Sequence, residues 1–334
     1  MTATAIRPAG AIDSLVPAAL AATRAAALAC QPWVGRGDGQ AADGAATDAM
    51  RAALAQAQGN GTVLIGEGEK DNAPMLYNGE RVGTGRGPRF DVAVDPLEGT
   101  SLLANGRAGA LATIAIVEAG HMWDPGPSHY VDKLVVGPRG KGAVEIADSP
   151  ERNLARLAEA LGKPVREVLV VVLGKPRHLA LIARLQIAGA RVWTPPAGDV
   201  AGALHALLPG SEIDMLMGVG GTPEGMMTAA AVRALGGGMQ IRIAPQRESE
   251  ARALRAAGIE PGRTLGLEQL VWGESFFVAT GVTSGPLLRG PWSHEGTPYT
   301  ESLVVTDAGA RRYVTAGDPL AHAGSVSYLT PIAV

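Results

Sequence analysis

Between Ser149 and Leu235 the chain alternates short apolar runs with helix-forming segments, and this rhythm constrains the fold more than any other feature. Ser149-Pro150-Glu151 places serine at an N-cap and proline at the first helical position of a helix ending at Leu161. Residues 168–173 then read as a buried strand, 176–187 as a helix, 190–193 as a strand, 200–207 as a helix, 215–219 as a strand and 225–235 as a helix. Such β-α-β-α order predicts a layered α/β architecture, not an all-β sandwich or a helical bundle.

The flanking segments are consistent with that class. Helices are expected over 17–29 and 44–58, separated by the Gly-rich loop 35–39, with strands at 62–65, 90–94, 110–118, 133–136 and 143–146. A solvated helix is expected over 248–257, and the chain from Glu274 onward reads mainly as strands. The change of character near residue 150 predicts two α/β domains, 1–150 and 151–334.

Composition enters by exclusion. With 46% hydrophobic and 18% charged residues, the chain has enough apolar material for a sizeable core. Lys and Arg number 29 against 32 Asp and Glu, so no global basic field exists for nucleic acid or anionic lipid. Cys30 is the single cysteine, which excludes an internal disulfide framework or a multi-cysteine zinc site. No uncharged run reaches the ~20 apolar residues of a membrane span, and the opening residues lack the pattern of a secretory signal. The expectation is a cytoplasmic protein with neither nucleic-acid nor membrane partners.

Familiar nucleotide motifs are missing. Gly218-Val219-Gly220 lacks the third glycine of a dinucleotide fingerprint, because Pro223 takes its place. Six scattered histidines form no metal-binding pattern, which leaves carboxylates as the abundant ligands. Asp95-Pro96-Leu97-Glu98-Gly99-Thr100-Ser101 follows an apolar strand, and ligands in open α/β sheets bind at the carboxyl ends of strands. Two acids bracketing a rigid proline suit a hard divalent cation, and the small residues after them suit a phosphate. A capped turn with solvated acids is the competing reading. Glu67 in Gly66-Glu67-Gly68-Glu69 is the first residue past another strand, and Glu224 lies near a helix start, where dipole complementation is the plainer role. Asp43 is expected at the start of a helix, where N-capping is the plainer role. Lys175-Pro176-Arg177-His178 offers cations suited to a phosphate dianion, and Tyr130 a phenol donor.

Together, GRGDGQAADGAATDAMR, GEGEKDNAPMLYNGE, DVAVDPLEGT, KPRH and GGTPEGMM resemble the GlpX-type class II fructose-1,6-bisphosphatases of the lithium-sensitive phosphatase superfamily. The resemblance runs from about residue 20 to beyond residue 285. It implies an α-β-α-β-α sandwich of the sugar phosphatase and inositol monophosphatase type, with metal and phosphate bound by the first domain and the sugar phosphate by the second. It also implies Mg²⁺- or Mn²⁺-dependent hydrolysis of the 1-phosphate of a sugar bisphosphate, in gluconeogenesis or a reductive pentose pathway, by a homo-oligomer. Carried over by motif, Asp43, Glu67, Asp95, Glu98 and Glu224 are the expected metal ligands. Thr100, with Glu67 and Asp95, would serve catalysis, and Glu98, Gly99 and Thr100 would line the reacting phosphate. Tyr130, Lys175 and Arg177 would hold the distal phosphate, with Gly198, Asp199 and Gly221 at the sugar.

Two positions depart from the family pattern. Gly39 stands where members often carry a lysine near the metal loop, and Ala197 where they commonly carry the first aspartate of DGD; the lost aspartate predicts a weaker grip on the sugar or a shifted substrate range. Fructose 1,6-bisphosphate is the expected substrate, with sedoheptulose 1,7-bisphosphate as a second. An inositol monophosphatase-like enzyme gives Lys175 and Arg177 no distal anion to hold. A catalytically silent sugar-phosphate sensor is at odds with the presence of every carried-over acid and of Thr100.

Overall fold

A computed structural model describes residues 11–66 and 76–320, and the backbone of 328–333. The chain first lays down β1 (Asn60–Ile65), β2 (Arg81–Val82), β3 (Arg89–Glu98) and β4 (Leu111–Glu118) in one sheet. It leaves to build a second sheet from β5 (Tyr130–Val136), β6 (Leu169–Val171), β7 (Arg191–Trp193), β8 (Met215–Gly221), β9 (Gly238–Ile243) and β10 (Thr264–Gly266). It then returns to the first with β11 (Ser275–Gly281), β12 (Trp292–His294), β13 (Thr297–Thr306), β14 (Gly309–Ala316) and β15 (Tyr328–Ala333). The strand orders are β15-β14-β13-β11-β4-β3-β1-β2, with β12 on β13, and β10-β9-β5-β8-β6-β7.

Helices fill three layers. α1 (Val16–Ala29) and α2 (Gly39–Leu54) cover the outer face of the first sheet, packing Leu20, Met50 and Leu54 with Phe90, Val92 and Phe276. α3 (Thr100–Ala104) is one short turn after β3. α4 (Pro150–Leu161) and α5 (Leu179–Ile187) cover the far face of the second sheet, where Leu154, Leu157 and Leu185 meet Leu134, Val170 and Met215. α6 (Asp199–Leu207) and α7 (Thr222–Ala234) lie between the sheets, in a core shared by Ala93, Ala115 and Phe277 on one side and Val131, Val135 and Leu216 on the other. α8 (Glu248–Ala256) and α9 (Leu267–Leu270) complete the helices. The layering is the expected α-β-α-β-α. Sheet membership does not change at residue 150: β5 before it pairs with β8 and β9, and β11 after it pairs with β4.

Three local expectations change. Residues 143–146 are not a strand. The Glu145 N–H donates to Asn153 Oδ1, Asn153 Nδ2 donates to the Glu145 carbonyl, and the Ile146 N–H donates to Gln240 Oε1, so side chains replace a neighbouring strand. α2 begins at Gly39, with the Asp38 carboxylate accepting the Ala41 N–H as its N-cap, so Asp43 lies inside the helix and does not cap it. The helical stretch Ile12–Trp33 is long and apolar enough to cross a bilayer, contrary to the sequence reading. It is a core helix here: Ala19, Ala22 and Ala26 are fully buried, and Arg24, also buried, donates to Thr300 Oγ1 and the Gly317 carbonyl.

Candidate active site

Asp95 and Glu98 meet because β3 carries an extra residue. Asp95 pairs with Thr113 and Glu98 with Leu111, so β3 advances three residues while β4 advances two. In a regular strand residues 95 and 98 point to opposite faces, and the bulge returns Glu98 to the side of Asp95. Pro96, with no N–H to lose from the ladder, fits that position. Asp95 Oδ1 accepts the Leu97 N–H at 3.0 Å and ties the bulge down.

Glu224, the third residue of α7, completes the cluster: carboxylate oxygens of Asp95, Glu98 and Glu224 all lie within 4.8 Å of one another. At an effective dielectric of about 20, two full charges at that spacing repel by on the order of 3 kcal/mol. Three such pairs without a cation are therefore costly. Burial, followed by the Glu224 and Asp199 charges, pushes the Glu98 carboxyl up to about 8, against the opposing pull of Lys133. Glu224 Oε2 is buried with no hydrogen-bond partner among the described residues. An all-oxygen, partly orphaned acid cluster is what a hard divalent cation requires, so these residues fit one.

Thr100 opens α3 directly after Gly99, whose φ of 85° turns the chain in a way that favours glycine. The Thr100 hydroxyl donates to Asp43 Oδ1 at 2.9 Å, with the Leu97 carbonyl a competing acceptor at 3.2 Å. Asp43 is thus joined to Thr100, and the three converging acids do not include it. Gly39 is the reason α2 and α3 come so close, since a Cβ there would stand 2.7 Å from Thr100 Cγ2. Glu67 lies outside the described residues.

The glycines of β8 that failed as a nucleotide fingerprint have a steric role instead. A Cβ on Gly221 would overlap the Glu224 carboxylate, and one on Gly220 would overlap Asp199 Oδ2 and crowd Lys133 Nζ. Gly218, at φ 116°, lies against the His178 ring, with Nε2 3.0 Å from where its Cβ would be. Asp199 begins α6 after Gly198, which is left-handed at φ 87°. Its Oδ2 lies 2.6 Å from Lys133 Nζ, both groups being buried. The Val200 N–H, the next along α6, points at Glu98 Oε1 from 3.5 Å.

Tyr130, which pairs with Gly221, and Arg177 form a second group at the carboxyl end of β8, with the guanidinium 5.6 Å from the ring centroid. Arg177 Nε and Nη2 both donate to the Val219 carbonyl, at 3.1 and 2.8 Å. Lys175, half-buried, precedes the turn that carries Arg177, and its ammonium forms no ion pair among the described residues. His178 belongs to the frame and not to the cations: burial holds its pKa below the ordinary value.

Sequence reasoning missed Lys133. Its signal was available, because a lone lysine between Val131 and Leu134-Val135-Val136 in a strand is seldom fully buried without a partner.

Comparison with known proteins agrees with this geometry. A family model described as bacterial fructose-1,6-bisphosphatase, glpX-encoded, matches residues 13–317. The chain is 45% identical over 297 residues to fructose-1,6-bisphosphatase 1 class 2 of Escherichia coli K12, covering 85% of this chain and 88% of the relative. The class 2 fructose-1,6-bisphosphatase of Shigella flexneri matches with the same identity and coverage. With the match spanning nearly the whole chain, from α1 to β14 and through every acid of the site, this protein belongs to the GlpX-type bacterial fructose-1,6-bisphosphatase family.

Proposed function

We propose that the protein hydrolyses the 1-phosphate of fructose 1,6-bisphosphate to fructose 6-phosphate and phosphate, a step of gluconeogenesis, using Mg²⁺ or Mn²⁺. The observation that carries this reading is the junction of the Asp95–Glu98–Glu224 cluster with the Thr100–Asp43 pair. A divalent cation held by the three acids supplies neutralising charge for the phosphate dianion and for the departing sugar oxygen. Gly99 and Thr100, at the start of α3, line the phosphate beside that cluster.

Thr100 orients the attacking water. Its hydroxyl proton is directed to Asp43, so its lone pairs face outward as acceptors for a water proton. As the water oxygen bonds to phosphorus, its proton passes to Thr100 Oγ1 while the threonine proton moves to Asp43 Oδ1. The P–O bond to C1 breaks, and the sugar oxygen leaves as a hydroxyl after taking up a proton from solvent. Thr100 ends unchanged, and Asp43 returns its proton to solvent. Glu67 would join the metal ligands from its loop.

Lys175, Arg177 and Tyr130 hold the second phosphate, and Gly198, Asp199 and Gly221 border the sugar. A distal cationic group favours a substrate phosphorylated at both ends, including sedoheptulose 1,7-bisphosphate. By likeness to the family we read the enzyme as a cytoplasmic homo-oligomer; the apolar helix of spanning length found among the described residues is packed in the core.

Phosphate release from fructose 1,6-bisphosphate, sedoheptulose 1,7-bisphosphate and inositol 1-phosphate, with Mg²⁺, with Mn²⁺ and after chelation, tests the reading. Metal-dependent release from the bisphosphates, lost in Thr100→Ala, is expected. Release only from inositol 1-phosphate, or from none of the three, overturns it.

A further inference from the structure

Lys133 stands in the middle of β5 with 2% of its surface exposed. Strand alternation sends it to the face of Val131 and Val135, into the layer between the sheets that holds α6, α7 and the acid cluster. Its ammonium lies 2.6 Å from Asp199 Oδ2, yet none of its protons has a well-aligned acceptor among the described residues. Gly220 makes room for it, since a Cβ there would crowd Nζ at 2.8 Å and Cε at 2.9 Å.

A pair kept only for stability would be matched by apolar residues of the same volume, because desolvating two charges offsets their attraction. Here the pair borders Glu98 and the left-handed Gly198, and among the described residues its ammonium protons have no aligned acceptor. We propose that Lys133 is a specificity-determining residue, which with Asp199 forms a donor–acceptor pair for one hydroxyl of the sugar. A hydroxyl is the group that satisfies both partners at once, since it accepts from an ammonium and donates to a carboxylate. The inference rests on the reading that Asp199 borders the sugar.

Steady-state kinetics on fructose 1,6-bisphosphate with saturating Mg²⁺ test it, using Lys133→Met, Asp199→Asn and the double variant. Each single substitution should raise KM at least tenfold and lower kcat by less than that factor. The double variant should have a KM no higher than the worse single one, because both side chains serve the same hydroxyl. Multiplying effects would assign Lys133 to separate work and overturn the proposal. An Asp199→Asn variant with normal KM would sink the reading of Asp199 itself, and the pair with it. A raised KM in Asp199→Asn beside a normal one in Lys133→Met would overturn the proposal and leave that reading standing. Should Lys133→Met not fold, the double variant, which buries no charge at this position, replaces it. A KM matching that of Asp199→Asn supports the pair, and a tenfold higher one overturns it.

Discussion

His178 and Val219 are joined at 2.8 Å, with the Val219 N–H donating to His178 Nε2. That bond fixes the ring as neutral, because Nε2 must keep its lone pair while Nδ1 donates to the Leu173 carbonyl at 2.7 Å. The Val219 carbonyl meanwhile receives Arg177, so one residue of β8 grips the KPRH turn through both its backbone groups. A cluster that looks basic in sequence is therefore two cations set on a buried neutral histidine.

His178→Ala should loosen that turn. It strands the Val219 N–H and the Leu173 carbonyl, each worth about 1–3 kcal/mol when buried and unpaired. A drop in the thermal midpoint and a raised KM for the bisphosphate are expected, with kcat less affected. The wild type also carries a pH signature. Burial lowers the folded-state pKa of His178 below 6.5, so the unfolded chain takes up the proton first as pH falls. The stability it contributes is complete above pH 6.5 and is lost as pH falls from there toward the lowered folded-state value. Urea titrations at several pH values should show a slope in the wild type that is shallower in His178→Ala. Equal slopes would remove His178 from this role.

Thr100→Ala should lower kcat by about 10²–10⁴, the range for loss of a positioned proton-transfer group. Asp43→Asn should produce a loss in the same range, since an amide no longer takes the threonine proton. Thr100→Ser keeps the hydroxyl and should retain most activity. If Asp43→Asn ran at the wild-type rate with metal bound, the relay through Asp43 would be wrong.

The layers, most helix bounds and the acid motifs were legible because they depend on local pattern. Ser149-Pro150 starts α4 as a cap predicts, and DVAVDPLEGT announces a strand delivering two acids. What stayed hidden depends on contacts distant in sequence. Whether Asp95 and Glu98 share a face is decided by a register slip against β4, which no residue in the motif encodes alone. Asp43 looks like a helix cap until α3, 57 residues on, places Thr100 against it. Gly220 looks like a failed phosphate loop until Asp199 and Lys133 occupy the space of its missing Cβ. Residues 143–146 read as a strand because their apolar character was visible, while the Asn153 and Gln240 side chains that take their hydrogen bonds were not.

Gly220→Ala tests that steric role without altering charge. Its Cβ would collide with Asp199 Oδ2 and Lys133 Nζ, and overpacking of a tight site costs about 1–3 kcal/mol. A lower unfolding midpoint with a raised KM is expected. An alanine tolerated in both measurements would mean that the pair shifts freely.

Metal removal should act on stability as well as on turnover. A cation that binds only the folded chain stabilises it by about 2.7 kcal/mol at a hundred times its Kd. Chelation should therefore lower the melting temperature, and Glu224→Gln should abolish most of the metal-induced rise. Glu98 adds a proton linkage. With its carboxyl pushed up to about 8, the metal-free site carries a proton at neutral pH that the cation displaces. Metal affinity should rise as pH approaches 8, and calorimetry in buffers of different ionisation heat should show proton release on binding. Binding with no buffer dependence at pH 7 would mean that Glu98 is already ionised.

Ala197→Asp probes the departure beside the sugar. Ala197 is half-buried and immediately precedes Gly198 and Asp199. It lines a cavity of about 280 Å³ with Leu102, Trp193 and Leu287, and His205 is the titratable group in that lining. Apart from the His205 ring, a carboxylate placed there meets mainly apolar walls, and burying it unpaired costs free energy. It gains where it reaches a hydroxyl of the bound sugar. The substitution should therefore lower the unfolding midpoint of the free protein, lower KM for fructose 1,6-bisphosphate several-fold, and alter the preference between the six- and seven-carbon bisphosphates. Loss of stability with KM and preference both unchanged would show that position 197 faces only the cavity, and that the aspartate is dispensable to sugar recognition in this chain.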